Sequence, residues 1–317
     1  MARLTLSQES REKTKPWVPA IQVAAGAVLI SFSPVFVNVT DVDPAATAFY
    51  RLLIGGIVLL AVAVASRRLR VARKKKLLIA ALCGVLVAID LSVWHMSIRL
   101  IGPGLATILG NHQVFVLAGF GIVFLGERLT FRMASAILLA VAGLFLIFGL
   151  EWGGLSAEFR LGTIYGGLTA LMYGCFLILL RSAQSGTGAP DPVFTVAVLS
   201  LVGSAVLGGY VWSGGESFVV PDSRNWTVLI CYAIICHVVG WVLITKGLPG
   251  LEASKAGLLL LLQPALAFVW DVALFGRPTA VVEVMGAVLA LCAIYLGAVG
   301  RDERPTYNVE HPTSNGG

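Results

Sequence analysis

The sequence predicts an all-α polytopic membrane protein with ten transmembrane helices arranged as two inverted five-helix repeats. Three observations carry that prediction. Ten apolar stretches, each about long enough to cross a ~30 Å hydrocarbon layer, fill the chain. Lysine and arginine fall overwhelmingly on alternate connections between them. A set of polar and turn residues in the first half also recurs in the second at a nearly constant offset.

The stretches are 17–39, 44–65, 77–98, 102–125, 131–149, 160–180, 192–212, 225–247, 253–275 and 279–300. The first follows a charged leader, residues 1–16, with no small-residue cleavage site, so it is expected to stay as a helix. The second begins at Asp43-Pro44, and the third follows a dense basic run. The fourth carries the polar triplet Asn111-His112-Gln113, and the fifth closes the first repeat, 17–149. The sixth contains Gly162 and Gly166, a spacing that signals close helix contact. The seventh begins at Asp191-Pro192, the eighth holds His237, and the ninth holds Gln263-Pro264. The tenth ends the second repeat, 160–300. The polar tail, 301–317, is expected to be disordered. Short connections suggest that helices adjacent in sequence are adjacent in space.

Hydrophobic residues make up 57% of the chain and charged ones 13%, which leaves no soluble domain between the stretches. The net charge of +6 is no nucleic-acid signature. Its densest part, Arg67, Arg68, Arg70, Arg73, Lys74, Lys75 and Lys76, is one short connection of the kind retained on the cytoplasmic side. Over the whole chain, 18 basic residues fall on that side and four on the other, with Arg51 inside a stretch. Both termini are therefore expected in the cytoplasm of a cell bounded by this membrane. The five cysteines all lie in apolar stretches without metal-ligand spacing, and no metal or cofactor is expected.

The repeat is explicit. Asp43-Pro44-x-x-Thr47 recurs as Asp191-Pro192-x-x-Thr195, and Asp90-x-x-x-Trp94 matches His237-x-x-x-Trp241. Gln113 matches Gln263, Phe145 matches Tyr295, and Gly126 matches Gly276, each at an offset of 150. Five spans per half make the second half enter from the opposite side. Duplication of this kind suits a machine that opens alternately to two sides.

The stretch from Gly102 to Gln113, running on to Gly126-Glu127-Arg128, resembles the fourth span and following loop of EamA-type transporters of the drug/metabolite transporter superfamily. Its echo from Leu248-Pro249 through Gln263-Pro264 to Gly286 is similar to that family's ninth and tenth spans. Arg51 falls where the family commonly has an arginine. The resemblance covers 17–300, with two departures: Arg277 replaces the usual acid of the second loop, and Val114 replaces a common proline. It implies transport of a small organic solute, and its members move amino acids, nucleobases, sugars and drugs.

Ionisable side chains at bilayer depth cost about 2.5–3.5 kcal/mol each on insertion scales, so each needs a reason. Asp90, His112 and His237 are the expected proton-coupling candidates, because buried carboxyl and imidazole groups can titrate near neutrality. Trp94 and Trp241 sit one turn beyond Asp90 and His237 on the same helix face. With Asn111, His112, Gln113 and Gln263 they form the expected solute site, enclosed by the third, fourth, eighth and ninth spans. Arg51 is expected as a structural anchor or a partner for Asp90, His95 as an interhelical bond, and Glu127 and Arg128 as loop residues. Pro264 removes a backbone hydrogen bond in mid-span. No enzyme constellation is present: there is no HExxH, Gly-x-Ser-x-Gly, Walker loop or CxxC.

The sequence therefore reads as a secondary active transporter of a small organic metabolite or drug, an exporter working by alternating access in a bacterial cytoplasmic membrane. Its partners are the solute, the bilayer and a proton or other coupling ion, with no nucleic acid. A second reading, a transport-inactive sensor or scaffold, rests on Arg277. An intramembrane enzyme is third.

Overall fold

In the computed structural model, residues 17–67, 73–148, 156–276 and 278–299 are described. The leader, the centre of the basic run, Arg277 and the tail lie outside the described residues.

Capping side chains start several helices. Asp43 Oδ1 accepts from Ala45 N at 2.9 Å, opening α3 (Pro44–Ala65), and Asp191 Oδ1 accepts from Val193 N at 2.9 Å, opening α8 (Pro192–Gly214). The two Asp-Pro motifs are thus the same device used twice: proline needs no donor at the first turn, and the carboxylate satisfies an N–H. Before α3 come α1 (Val18–Ile30) and α2 (Ser33–Asn38). Asp222 caps α9 (Ser223–Tyr232) through Asn225 N, and that bond holds its carboxyl below the usual range. Gly126 and Gly276 end their helices in the left-handed conformation, φ +66° and +62°, which glycine adopts without a Cβ penalty.

Seven described helical stretches are long and apolar enough to span a membrane, and three shorter apolar helices accompany them: α5 (Gln113–Leu125) and parts of α6 (Phe131–Phe148) and α13 (Val281–Val299). The third apolar stretch and the start of the fourth, up to Gly110, belong to one continuous helical segment, α4 (Lys74–Gly110), rather than two helices separated by a loop. It is not straight. A Cβ on Gly110 would lie 3.9 Å from the Trp94 ring, whereas 16 residues of straight helix span about 24 Å. The chain reverses between them. Both limbs meet α7 (Ala157–Gln184), where a Cβ on Gly162 would come 2.5 Å from Ile101 and one on Gly166 2.7 Å from Leu109. Ser97 Oγ donates to the Gly162 carbonyl at 2.9 Å.

The eighth stretch is α9, a nine-residue π-helical segment (Ala233–Trp241) and α10 (Val242–Gly247). The ninth is α11 (Ala253–Leu260) and α12 (Leu262–Phe275).

The most extensive packings join the two halves, not sequence neighbours. α3 packs on α8 and α6 on α13, each pairing a helix with its own repeat equivalent, and α5 packs on α11, joining the equivalent fourth and ninth stretches. α4 packs on α7, and its equivalent, the π segment with α10, packs on α1. That exchange is what a pseudo-twofold axis between inverted repeats requires. Helices adjacent in sequence, such as α3 with α4 and α12 with α13, do touch, but the larger contacts run to the other half, where Gly56, Gly84, Gly143 and Gly162 allow close approach.

The close α4–α7 crossing gives the first prediction. Gly166→Leu should lower thermal stability by about 1–3 kcal/mol through overpacking. Gly167→Ala, where a Cβ meets nothing within 4 Å, should leave the melting temperature of the purified protein within a degree or two.

Candidate functional site

A cavity of about 590 Å³ lies between the halves, within the ~300–1,000 Å³ range of small-molecule sites. Helices from both repeats line it. α1 and α2 contribute Ser31 and Asn38; α3 contributes Thr47 and Arg51; and α4 contributes Asp90, Trp94, His95, Arg99 and Thr107. The second half adds Thr169 and Tyr173 from α7, Tyr232, Trp241, and Gln263 with Pro264. The cavity extends to the end of the bundle that carries Asn38, Pro44 and Arg99. There the Arg99 side chain, 64% exposed, pairs with Glu216 at 2.7 Å.

Its walls are aromatic. Tyr173 and Phe176 meet Trp241 edge to face at 6.4 and 5.1 Å, and Trp94 lies beside His95 at 5.5 Å. Its polar groups are held from behind. Arg51 Nη1 donates to the Tyr232 hydroxyl at 2.8 Å, with the guanidinium carbon 5.3 Å from the ring centroid. Gln263 Nε2 reaches the Tyr173 hydroxyl at 3.4 Å, and Asn111 Nδ2 donates to the Thr107 carbonyl at 2.8 Å. Five buried polar atoms without a hydrogen-bonding partner belong to lining residues: Ser33 Oγ, Arg51 Nε, Asp90 Oδ1, His95 Nδ1 and Thr169 Oγ1. Leaving such atoms unmet costs about 1–3 kcal/mol apiece. The site is built to receive both a donor and an acceptor.

The structure therefore brings Asp90, Trp94, Asn111, Trp241 and Gln263 together with Arg51 and Pro264. His112, Gln113 and His237 are not among the lining residues. His112 packs against the rings of Phe115 and Phe145 at 5.6 and 6.0 Å. His237 is 2% exposed, and its ring fills the space that a Cβ on Gly55 would take. Ser200 Oγ donates to the Val196 carbonyl, so its remaining bond to His237 Nε2, at 2.7 Å, is accepted from an Nε2–H. His237 thus sits in a side pocket of helix contacts.

Gln113 does a different job. The helix breaks at Asn111–His112 between α4 and α5, and again at Leu261 between α11 and α12, 150 residues later. In the second half Pro264 explains the break, since it cannot donate to the carbonyl four residues back. In the first half Val114 stands in that position. With its amide nitrogen turned to the chain, Gln113 donates to the Gly110 and Asn111 carbonyls at 2.7 and 2.6 Å. Side-chain amides there satisfy backbone groups that the break leaves free. Arg277 lies outside the described residues, so its departure finds no structural counterpart here.

Sequence reasoning missed Tyr173, Tyr232 and Thr169 as lining residues and set His95 aside as an interhelical bond. The available signal was a hydroxyl at bilayer depth, which apolar patterning does not weigh. It also left Glu127 as a loop residue. Its carboxylate accepts from Ala253 N at 2.6 Å, Ser254 N at 3.2 Å and Ser254 Oγ at 3.1 Å, and lies 3.5 Å from Arg181. It caps α11 from the other repeat, and Gly121 lacks the Cβ that would occupy its place. This cluster ties the halves at the end of the bundle opposite Asn38 and Arg99.

The comparisons agree with this architecture. The model of the EamA-like transporter family matches residues 17–149 and 160–298, one match per repeat. A relative from Bacillus subtilis (strain 168), "Uncharacterized transporter YxxF", is 23% identical over 225 residues, 71% of this chain. The match spans 65% of that relative's length. A solved structure described as "Crystal structure of protein" superposes with a TM-score of 0.75 at 17% identity, covering 88% of this chain and 96% of that one. That likeness shows the fold.

Accessibility separates lining from buried positions. In a cysteine-free background, Ala267→Cys, which lines the cavity, should react with a small water-soluble thiol reagent. Ala256→Cys, 1% exposed and outside the lining, should not. Equal labelling of both would remove the cavity as described.

Proposed function

Because this chain belongs to the EamA-like transporter family, with one family match on each half, we propose that it is a secondary active exporter of a small organic solute. Its ten spans alternate access between the two inverted repeats. The observation that carries this reading is a polar, aromatic-walled cavity between the halves that extends to one end of the bundle, while the Glu127 cluster ties the other.

The basic bias of the connections supports placing both termini, and the tied end, in the cytoplasm. The cavity then faces outward, as it would just after solute release. Return to the inward-facing state requires Glu127 to leave Ala253, Ser254 and Arg181, while the outer ends of α1, α3 and α4 close over the cavity. Charge-assisted bonds of this kind are worth about 1.5–3 kcal/mol, a size that holds one state without locking it. The chain's residues carry no nucleotide-binding motif, which supports an ion gradient, solute exchange or the solute's own gradient as the driving force. Asp90 is the first coupling candidate, since it alone of the three lines the cavity, where proton and solute can compete for it. His112 and His237 follow it.

Reconstitution in vesicles tests the reading. With an imposed pH gradient, the wild type should accumulate members of a labelled metabolite panel. Asp90→Asn should abolish accumulation yet keep part of solute exchange, and His237→Gln should keep gradient-driven accumulation. Failure of every solute to move would favour the scaffold. Single cysteines in the connections at 67–76 and 214–224 should label from opposite faces. The tied end has its own test: Glu127→Gln should expose Ala256→Cys to reagent from the cytoplasmic face, at a labelling rate roughly tenfold or more above the parent, the change expected for a loss of ~1.4 kcal/mol.

A further inference from the structure

The first span is broken close to the open end of the cavity. Ser31 and Phe32 form a turn between α1 and α2, and Pro34 offers no N–H to the Ile30 carbonyl four residues back. A broken helix is tolerated at membrane depth where it lines a cavity, and Ser33, Pro34, Val37 and Asn38 do so here. None of the six residues of α2 is buried. Both of its ends are held. Trp270 Nε1–H donates to Ser31 Oγ at 2.8 Å, and beyond the helix Thr40 Oγ1 and Asp41 N each donate to Asn225 Oδ1 at 2.9 Å. Asn225 is buried, and its Nδ2 donates to Asp222 Oδ1 at 3.0 Å. Between those ends the hold is aromatic. Phe32 stacks on Trp270 with ring centres 4.5 Å apart, and Phe36, one turn along the same face, stacks on Tyr232 at 5.6 Å. Arg51 Nη1 donates to the Tyr232 hydroxyl and so fixes that ring in place.

Resting on the transport reading, we propose that α2 is a shutter for the open end of the cavity, with Phe36 as its blade and Tyr232 as the positioning residue that holds it back. A short helix fixed at both ends, and seated between them on ring stacks, is least constrained in a roll about its own line. Its faces differ in a way that gives the roll a consequence. Phe32 and Phe36 lie against rings of the second repeat, while Ser33 and Val37 face the cavity. The roll takes the Phe36 ring off Tyr232 and into the mouth, where an apolar ring excludes water. Leaving a ring stack breaks no hydrogen bond, so the exchange is shallow enough to run in both directions. The Asn225 anchor keeps the far end of α2 on α9 throughout. The Glu127 tie lies at the opposite end of the bundle and takes no part. Closure of the shutter therefore precedes any rocking of the halves and leaves the cavity shut at both ends.

Thiol labelling of the full chain in vesicles tests this without requiring transport, with Ala267→Cys in the cysteine-free background as the reporter inside the cavity. Tyr232→Leu removes the seat and keeps the blade, so labelling of the reporter by a small water-soluble reagent should slow roughly threefold or more, the size expected when one ring pair is lost from a two-state balance. Tyr232→Phe keeps the ring and should keep most of the parent's rate. Adding Phe36→Ala to Tyr232→Leu removes the blade as well, and labelling should return to the parent's rate or exceed it. A second mutation that reverses the first is not the signature of misfolding, which would speed labelling in both. Ala256→Cys, at a buried position outside the cavity lining, should stay unlabelled in every variant, because the Glu127 tie is intact. An unchanged or faster rate in Tyr232→Leu, no recovery on adding Phe36→Ala, or labelling of Ala256→Cys alongside would overturn the shutter. If no solute moves in vesicles while the reporter follows Tyr232 and Phe36 as described, the shutter stands and the transport reading falls. If solute moves while Tyr232→Leu labels like the parent, the transport reading stands and the shutter falls.

Discussion

Hydrocarbon offers no hydrogen bonds, so each polar group carried below the membrane surface must find its partner within the protein or line a polar cavity. The arrangement of this chain follows from that constraint. Asp43 and Asp191 answer the open donors at the starts of α3 and α8. Where the fourth span breaks, Asn111 and Gln113 turn their amides onto the Thr107, Gly110 and Asn111 carbonyls. Glu127 accepts three bonds from the start of α11 in the other half. The buried polar atoms still unmet among the lining residues, on Ser33, Arg51, Asp90, His95 and Thr169, converge on one inter-repeat cavity.

The pseudo-twofold relation governs the packing and is relaxed in the chemistry. α3 with α8 and α6 with α13 are pairs of equivalents that meet at the axis, and α5 meets α11 between the equivalent fourth and ninth stretches. Asp90 and His237 hold the same repeat position, yet they have different surroundings. Asp90 stands on an α-helical limb and lines the cavity, whereas His237 stands within a π-helical turn and is spent on Ser200 and the face of Gly55. A π turn changes the angular step between residues, and so re-aims a side chain that sequence spacing alone would place symmetrically. Trp94 and Trp241, four residues further on in each half, both remain in the cavity wall.

The tied and open ends differ in the same way. Glu127 bridges the halves at one end through backbone donors, which an acidic side chain satisfies well. At the equivalent loop of the second half the sequence has Arg277, which offers no acceptor to a helix start. Inverted repeats with unequal ties have unequal ends, and on the proposed transport reading that inequality biases one of two related conformations.

Much was legible in the residues themselves. Length of apolar stretch, basic asymmetry and the repeated Asp-Pro, Gln and Gly positions determined the class, the duplication and the two matched helix ends, because each depends on local chemistry or on simple spacing. Only the tertiary structure decided which polar side chains share a space. Apolar patterning runs all round these helices, so it carries no rotational phase. It could not set Arg51, Tyr173 and Tyr232 beside Asp90, nor turn Gln113 back to its own backbone and His237 towards Ser200. Nor could it show that α4 reverses without losing its helical turns, or that helices prefer the opposite half to their sequence neighbours. Those outcomes depend on how small-residue faces mesh across the pseudo-twofold axis, a property of two surfaces together and of neither stretch alone.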